Sequence, residues 1–369
     1  MLKNKSIKLL FLSAAQLLLL WLMLSTTTVQ YIQASWRMKI VIKLILILIN
    51  ILVLLTIFYS AVIKGRWKDV YLKNIFSLMF SLLFFFLVFE SIFLFIPRSH
   101  NSGANLAAQR WNNYYWKPIN QSGARDILYS VERFKNKQTI FFLGDSFTAG
   151  YGIKDTKDRF SDIIAKKIPE KYAVFNFGNN GANSSTELSM LLKFPVKPNI
   201  IILQYFINDI EEACSEKGKP VFKRPLYSDM NAFFSFFVRN SYFLEYIYWE
   251  IPHPDYNKYS ASLYDCFNDG EALQYHLNEL SLLRLFAKDH KIDLIVVAIP
   301  FLNDVEGSKK YTDIVKSYFQ FYDVPVVDVG ELVKDIPLKK RIVNAHDSHA
   351  SVLVHRMIAD ALYEIFLKL

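Results

Sequence analysis

The chain has 369 residues, 52% of them apolar, a mean hydropathy of +0.17 and a formal net charge of +9; this hydropathy excludes a disordered chain and argues against a single water-soluble globule. Residues 1–98 carry 11 Lys/Arg against Asp69 and Glu90, whereas residues 99–369 carry 32 against 32, so the whole excess lies in the first quarter. Cations that flank apolar runs, instead of covering a folded face, exclude nucleic acid as the partner and read as a membrane-topology signal.

In chain order, three apolar stretches come first, about Leu9 to Thr27, Ile40 to Val62 and Ile75 to Pro97. Each is near the ~20 residues that cross a ~30 Å hydrocarbon core, so residues 1–98 are expected to form a membrane anchor of three transmembrane helices in a lipid bilayer. Lys3, Lys5 and Lys8 precede the first helix, and Lys64, Arg66, Lys68 and Lys73 fill the second connection. The first connection holds only Arg37 and Lys39, with Lys43 just inside the second helix. The positive-inside bias puts the amino terminus in the cytoplasm and everything after Pro97 on the periplasmic or extracellular side of an inner or plasma membrane. A cleaved signal peptide in place of the first helix would leave that side unchanged. Glu90 stands seven residues before Pro97, about 10 Å along a helix, which places its carboxylate near the outer interface and speaks against a proton relay.

Residues 99–138 are polar and aromatic (Trp111, Tyr114, Tyr115, Trp116) and read as a linker packing onto the next domain. From 139 to 369 short β-rich runs alternate with helical ones: Thr139–Leu143, Ala173–Phe177, Ile200–Phe206, Ile292–Ile299 and Val324–Val329. Such alternation marks an α/β domain with a parallel sheet, and nearly continuous apolar runs suit strands covered on both faces. Phe160, Ile163, Ile164 and Ile168 recur at helical spacing, as do Leu353, Met357, Ala361, Leu362 and Ile365 behind Ser351 as N-cap.

An insertion at about 210–280 interrupts the alternation, and 15 of the 46 residues from Phe222 to Phe267 are Phe, Tyr or Trp, too many for a solvated loop. A lid, an interfacial patch and simple packing on the core all remain open. Arg239, Asn240 and Glu245 argue against a further crossing at Ala232–Trp249. Cys214 and Cys266, the only cysteines, stand at the ends of this insertion on the oxidising side and form a candidate disulfide, with two free buried thiols as the alternative.

Four motifs stand at or after apparent strand ends, where open α/β sheets bind ligands. Gly144-Asp145-Ser146-Phe147-Thr148 follows the first strand and offers a serine. Asn176-Phe177-Gly178-Asn179-Asn180-Gly181-Ala182-Asn183 follows the second and can aim a backbone N–H. Phe206-Ile207-Asn208-Asp209 follows the third and supplies a side-chain amide. His346-Asp347-Ser348-His349-Ala350-Ser351 opens the final helix.

In this order the motifs resemble the SGNH hydrolases, a branch of the GDSL esterase and lipase family, over residues 139–369. The resemblance implies a flavodoxin-like three-layer α/β/α sandwich, with Ser146 as nucleophile, His349 as general base and Asp347 as its acid partner. It also implies an oxyanion hole made by the N–H groups of Ser146 and Gly181 and the Asn208 side chain. The family commonly spaces acid and base as Asp-x-x-His; here His346 occupies the acid position and Asp347 is displaced by one residue, leaving His346 as the alternative base. No cofactor and no metal are expected. The expected activity is a membrane-anchored serine esterase removing an acyl, above all acetyl, group from a cell-envelope glycan or related ester. Two alternatives stand beside it. One is an O-acyltransferase that works with a multi-pass membrane partner; the other is a non-catalytic envelope scaffold or glycan-binding module.

Overall fold

The computed structural model describes residues 2–25, 36–64, 70–128, 130–223, 227, 229–251 and 256–368. Thr27, Arg66 and Lys68 of the expected anchor lie outside the described residues. The chain divides into two units, one of Met1–Arg98, Ala104–Asn113 and Pro225–Pro252, the other of Ser99–Gly103, Tyr114–Arg224 and His253–Leu369. The aromatic segment is therefore shared between units instead of forming one insertion.

In the first unit the Leu- and Ile-rich runs form helices Leu2–Ser25, Trp36–Phe58 and Val70–Phe93, as apolar segments must if their backbone is to be satisfied without water. Trp36–Ile63 and Val70–Phe93 are long and apolar enough to cross a membrane, whereas the apolar part of the first helix is shorter, Phe11–Ser25. Met23, Leu24, Ile47, Leu54 and Leu87 pack between the helices, while Trp21, Leu48, Leu52, Leu82 and Phe85 are exposed. Phe243, on helix Tyr242–Glu250, packs on Phe86, Phe89 and Phe93 with ring centroids 6.4, 5.0 and 5.4 Å away. Glu90 is fully buried in this unit, 2.7 Å from Lys43 Nζ. It accepts from Ser241 Oγ (2.6 Å) and from the N–H groups of Tyr242 and Phe243 (3.1 Å each). The unpaired N–H groups at that helix start draw the carboxylate inward.

The second unit is built on five parallel strands, β1 Gln138–Leu143, β2 Tyr172–Asn176, β3 Ile200–Phe206, β4 Asp293–Ile299 and β5 Val326–Asp328, in the order β2-β1-β3-β4-β5. This is the flavodoxin-like doubly wound order. Alternation along β1 sorts the core into two faces. Phe141 and Leu143 pack with Ala272, Leu280 and Leu283 of helix Gly270–Asp289 and with Val315 and Phe319 of helix Val305–Phe321. Ile140 and Phe142 pack with Phe160 and Ile164 of helix Phe160–Lys167 and with Val354, Ile358 and Leu362 of helix Val352–Phe366. In the last helix Leu362 of the expected set is buried and Ala361 and Ile365 pack partly against the core, while Leu353 is exposed and Val354 and Ile358 complete the buried stripe. Cys214 and Cys266 are disulfide-bonded, with Cα atoms 5.9 Å apart, joining helix Glu211–Glu216 to helix Tyr256–Asn268. The His346–Ala350 motif lies not on the helix it precedes but on an antiparallel hairpin, β6 Ile342–Asn344 and β7 Asp347–Ala350.

Candidate active site

Ser146 begins a single helical turn, Ser146–Ala149, directly after β1. Asp145 caps that turn, its Oδ1 accepting from Phe147 N–H at 2.9 Å. Gly144 is required: at φ +155° its backbone passes so close to the turn that a Cβ would lie 2.3 Å from Thr148 Oγ1 and 2.5 Å from Gln204 Oε1. Gln204 fastens the turn from β3, its Oε1 accepting from Asp145 N–H (3.1 Å), Thr148 N–H (3.1 Å) and Thr148 Oγ1 (2.9 Å). Asn176, at the end of β2, donates its Nδ2 to Thr148 O (2.7 Å) and Ser161 Oγ (2.8 Å). Neither is among the expected site residues, although Gln204 carries a signal in the sequence: it is the one side-chain amide inside the apolar run Ile200–Phe206.

The β6–β7 hairpin brings the acid and base to this turn. His349 Nε2 is 2.8 Å from Ser146 Oγ, and Nδ1 is 2.5 Å from Asp347 Oδ1. A carboxylate only accepts, so Nδ1 carries the proton and Nε2 accepts from the serine hydroxyl. A separation of two residues suffices because both sit on one strand, with His349 N–H also bound to Asp347 Oδ1 at 3.2 Å. Burial disfavours the imidazolium, but the Asp347 charge and its hydrogen bond outweigh it and raise the His349 pKa. Burial opposes the Asp347 carboxylate in the same way, yet His349 holds its pKa below the usual range. The rings of Phe147 and Tyr151 flank the imidazole, each with its centroid 5.0 Å away. His346 turns aside, its ring stacked on His100 at 6.1 Å.

The other expected residues lie on the turns after β3 and β2. Asn208 lies in the turn Ile207–Ile210 after β3, and its side chain favours the charged form of the Asp145 carboxylate beside Ser146, against the larger opposing effect of burial. Gly181 is exposed, at φ +73° with open space around its α-carbon. The close approach of its loop to the serine turn is made by Gly178, where a Cβ would lie 2.1 Å from Ala149 N. Burial pushes the carboxyls of Asp145, Glu187 and Asp209 upward, and the Asp145 charge adds to the push on the other two. Among the described residues no three His, Cys, Asp or Glu side chains are grouped to hold a metal ion.

This arrangement can deprotonate a hydroxyl at a strand end, which is the chemistry of acyl transfer to serine. A family model, GDSL-like lipase/acylhydrolase, matches residues 140–362, more than half of the chain. Among solved structures, a lipolytic protein of the G-D-S-L family from Veillonella parvula DSM 2008 is similar at 16% identity and a TM-score of 0.40, over 63% of this chain and 100% of its own. An acetyl xylan esterase, AlAXEase, is similar at 12% identity and a TM-score of 0.38, over 62% and 98%. A carbohydrate acetylesterase family member from Sinorhizobium meliloti is similar at 12% and 0.36, over 62% and 97%. Likeness at these levels says nothing about what the present chain acts on. A comparison with curated proteins returns no match. The chain belongs to the GDSL-like lipase/acylhydrolase family and is an ester-acting serine hydrolase.

Proposed function

We propose that the protein is a membrane-anchored, extracytoplasmic esterase that removes a small acyl group, acetyl foremost, from a cell-envelope glycan or related ester. The observation that carries the chemistry is the continuous chain Ser146 Oγ, His349 and Asp347, with contacts of 2.8 and 2.5 Å. In the proposed reaction His349 Nε2 takes the Ser146 proton as Oγ attacks the ester carbonyl carbon. The tetrahedral oxyanion is held by the N–H of Ser146, the N–H of Gly181 and the Asn208 amide. Collapse expels the alcohol, which receives the proton from His349, and leaves acyl-Ser146. Water, deprotonated by the same imidazole, then releases the acid and restores the serine. Asp347 keeps the imidazole in the required tautomer and stabilises its charged form.

Anchoring is supported by the two long apolar helices and by apolar side chains that face outward from them. The side of the membrane is read from the basic residues in the first 98 positions, and that side restricts the substrate to esters reachable there. The test supplies radiolabelled acetylated envelope glycan to the purified full chain. Release of acetate by wild type and not by Ser146→Ala supports the reading. Movement of label to a second glycan in preference to water would replace it with acyl transfer, and no Ser146-dependent release would overturn it.

A further inference from the structure

Only two residues after Pro97, at the end of the third apolar stretch, the segment Ser99–Gly103 belongs to the same unit as the β6–β7 hairpin. It lies along that hairpin and grips it on both sides of Asp347. Asn101 N–H donates to His346 O at 2.9 Å. Asn101 Oδ1 accepts from Ser348 N–H at 2.8 Å and from Ser348 Oγ at 3.1 Å. On β6, Asn344 Nδ2 donates to the carbonyl and the hydroxyl oxygens of Ser99, each at 3.2 Å, while Asn344 Oδ1 accepts from His346 N–H at 2.8 Å.

Ser99 is buried at 2% exposure. Its oxygen takes the Asn344 amide proton, so its own proton is available to a further acceptor. Asn344 is in register with Asp347 across the hairpin, which brings Ser99 to the Asp347 position, and the Ser99 hydroxyl there favours the charged form of the carboxylate. Asp347 Oδ1 is occupied by both N–H donors of His349, while Oδ2 is buried and has no donor of good geometry. A buried carboxylate oxygen left without a donor is costly, and Ser99 is placed to relieve it.

We propose that Ser99 and Asn101 are positioning residues for the hydrolytic site: Ser99 supports the Asp347 carboxylate and Asn101 fixes the 346–348 turn. The segment leaving the expected anchor thereby completes the acid–base pair. This rests on the reading of Asp347 and His349 as that pair. A carboxylate that loses a donor becomes more basic and binds the imidazolium proton more tightly. Removing the Ser99 hydroxyl therefore raises the His349 pKa and moves the acid limb of kcat/KM to higher pH. The other titratable groups around the pair, Asp145, Tyr151 and His355, stay in place.

The experiment uses the full chain in detergent micelles with p-nitrophenyl acetate. Ser99→Ala is expected to lower kcat about tenfold, leave KM for this small ester unchanged and shift the acid limb upward, with Ser99→Thr restoring both. Asn101→Ala, at an exposed position that does not threaten folding, is expected to lower kcat without moving the limb. Wild-type kcat and limb in Ser99→Ala overturn the proposal. So does a loss that leaves the limb in place and that Ser99→Thr fails to restore, because that pattern marks a general packing defect. Ser146→Ala and His349→Ala are run alongside. If they retain activity the acid–base reading itself falls; if they are inactive while Ser99→Ala behaves as wild type, only the positioning role falls.

Discussion

Two of the buried charged pairs among the described residues, Lys43–Glu90 in one unit and His349–Asp347 in the other, are of opposite character. Glu90 is saturated: Lys43 and Tyr242 N–H meet Oε1, and Ser241 Oγ and Phe243 N–H meet Oε2. Lys43 Nζ in turn donates to Asn240 O at 2.9 Å. Asp347 and His349 share one short contact, but the outer imidazole nitrogen is aimed at Ser146, a group whose proton can leave. A buried pair whose valences are all filled holds helices together, whereas a pair with one valence on a reactive hydroxyl is poised for proton transfer. Burial alone does not mark a functional charge; the unfilled direction does.

The comparison breaks most visibly at Ser146. Ser146→Ala is expected to lower kcat for acetyl ester hydrolysis by about 10⁴-fold or more and to abolish fluorophosphonate labelling; equal labelling of wild type and variant would contradict it. Asp347→Asn keeps the shape but removes the charge, with an expected loss of about 10²–10⁴ in kcat. Its pH profile sharpens the comparison. The active imidazole is neutral, and Asp347 raises the His349 pKa against the opposing effect of burial. Wild-type activity should therefore fall on acidification at a higher pH than an ordinary imidazole dictates, and Asp347→Asn should move that limb downward, as read in kcat/KM against pH.

Glu90→Gln strands the Lys43 charge and is expected to cost about 3–5 kcal/mol of stability, seen as a lower unfolding temperature in detergent at unchanged kcat. Lys43→Met with Glu90→Leu should recover much of that loss, since removing both charges leaves neither unpaired. Loss of activity in parallel with stability would show that the two pairs are not separate in role. Asn208→Ala removes one proposed oxyanion donor and is expected to lower kcat about 10²-fold, roughly 3 kcal/mol, at unchanged fold.

Much of the fold was legible because parallel strands covered on both faces read as apolar runs. Four of the five expected strands begin within one residue of those observed, with β1, β2 and β4 at Gln138, Tyr172 and Asp293 and β3 at Ile200. The first turn of the last helix was less legible: Leu353 is exposed, and Val354 takes the buried place. The hairpin under His349 was not legible, since polar Asp347-Ser348-His349 has no strand pattern and pairs only through β6. Gly178 illustrates the same limit: its sequence shows a glycine in a turn, and only the fold shows Ala149 pressing against it.

The sequence by itself determined where the apolar helices, the strand runs, the serine and the histidine stand, since these depend on local pattern and residue chemistry. Tertiary structure alone decided that Glu90 turns inward to cap a helix some 150 residues away and that the aromatic segment divides between two units. Those outcomes depend on hydrogen-bond valences filled across long sequence separations, and no local periodicity encodes them.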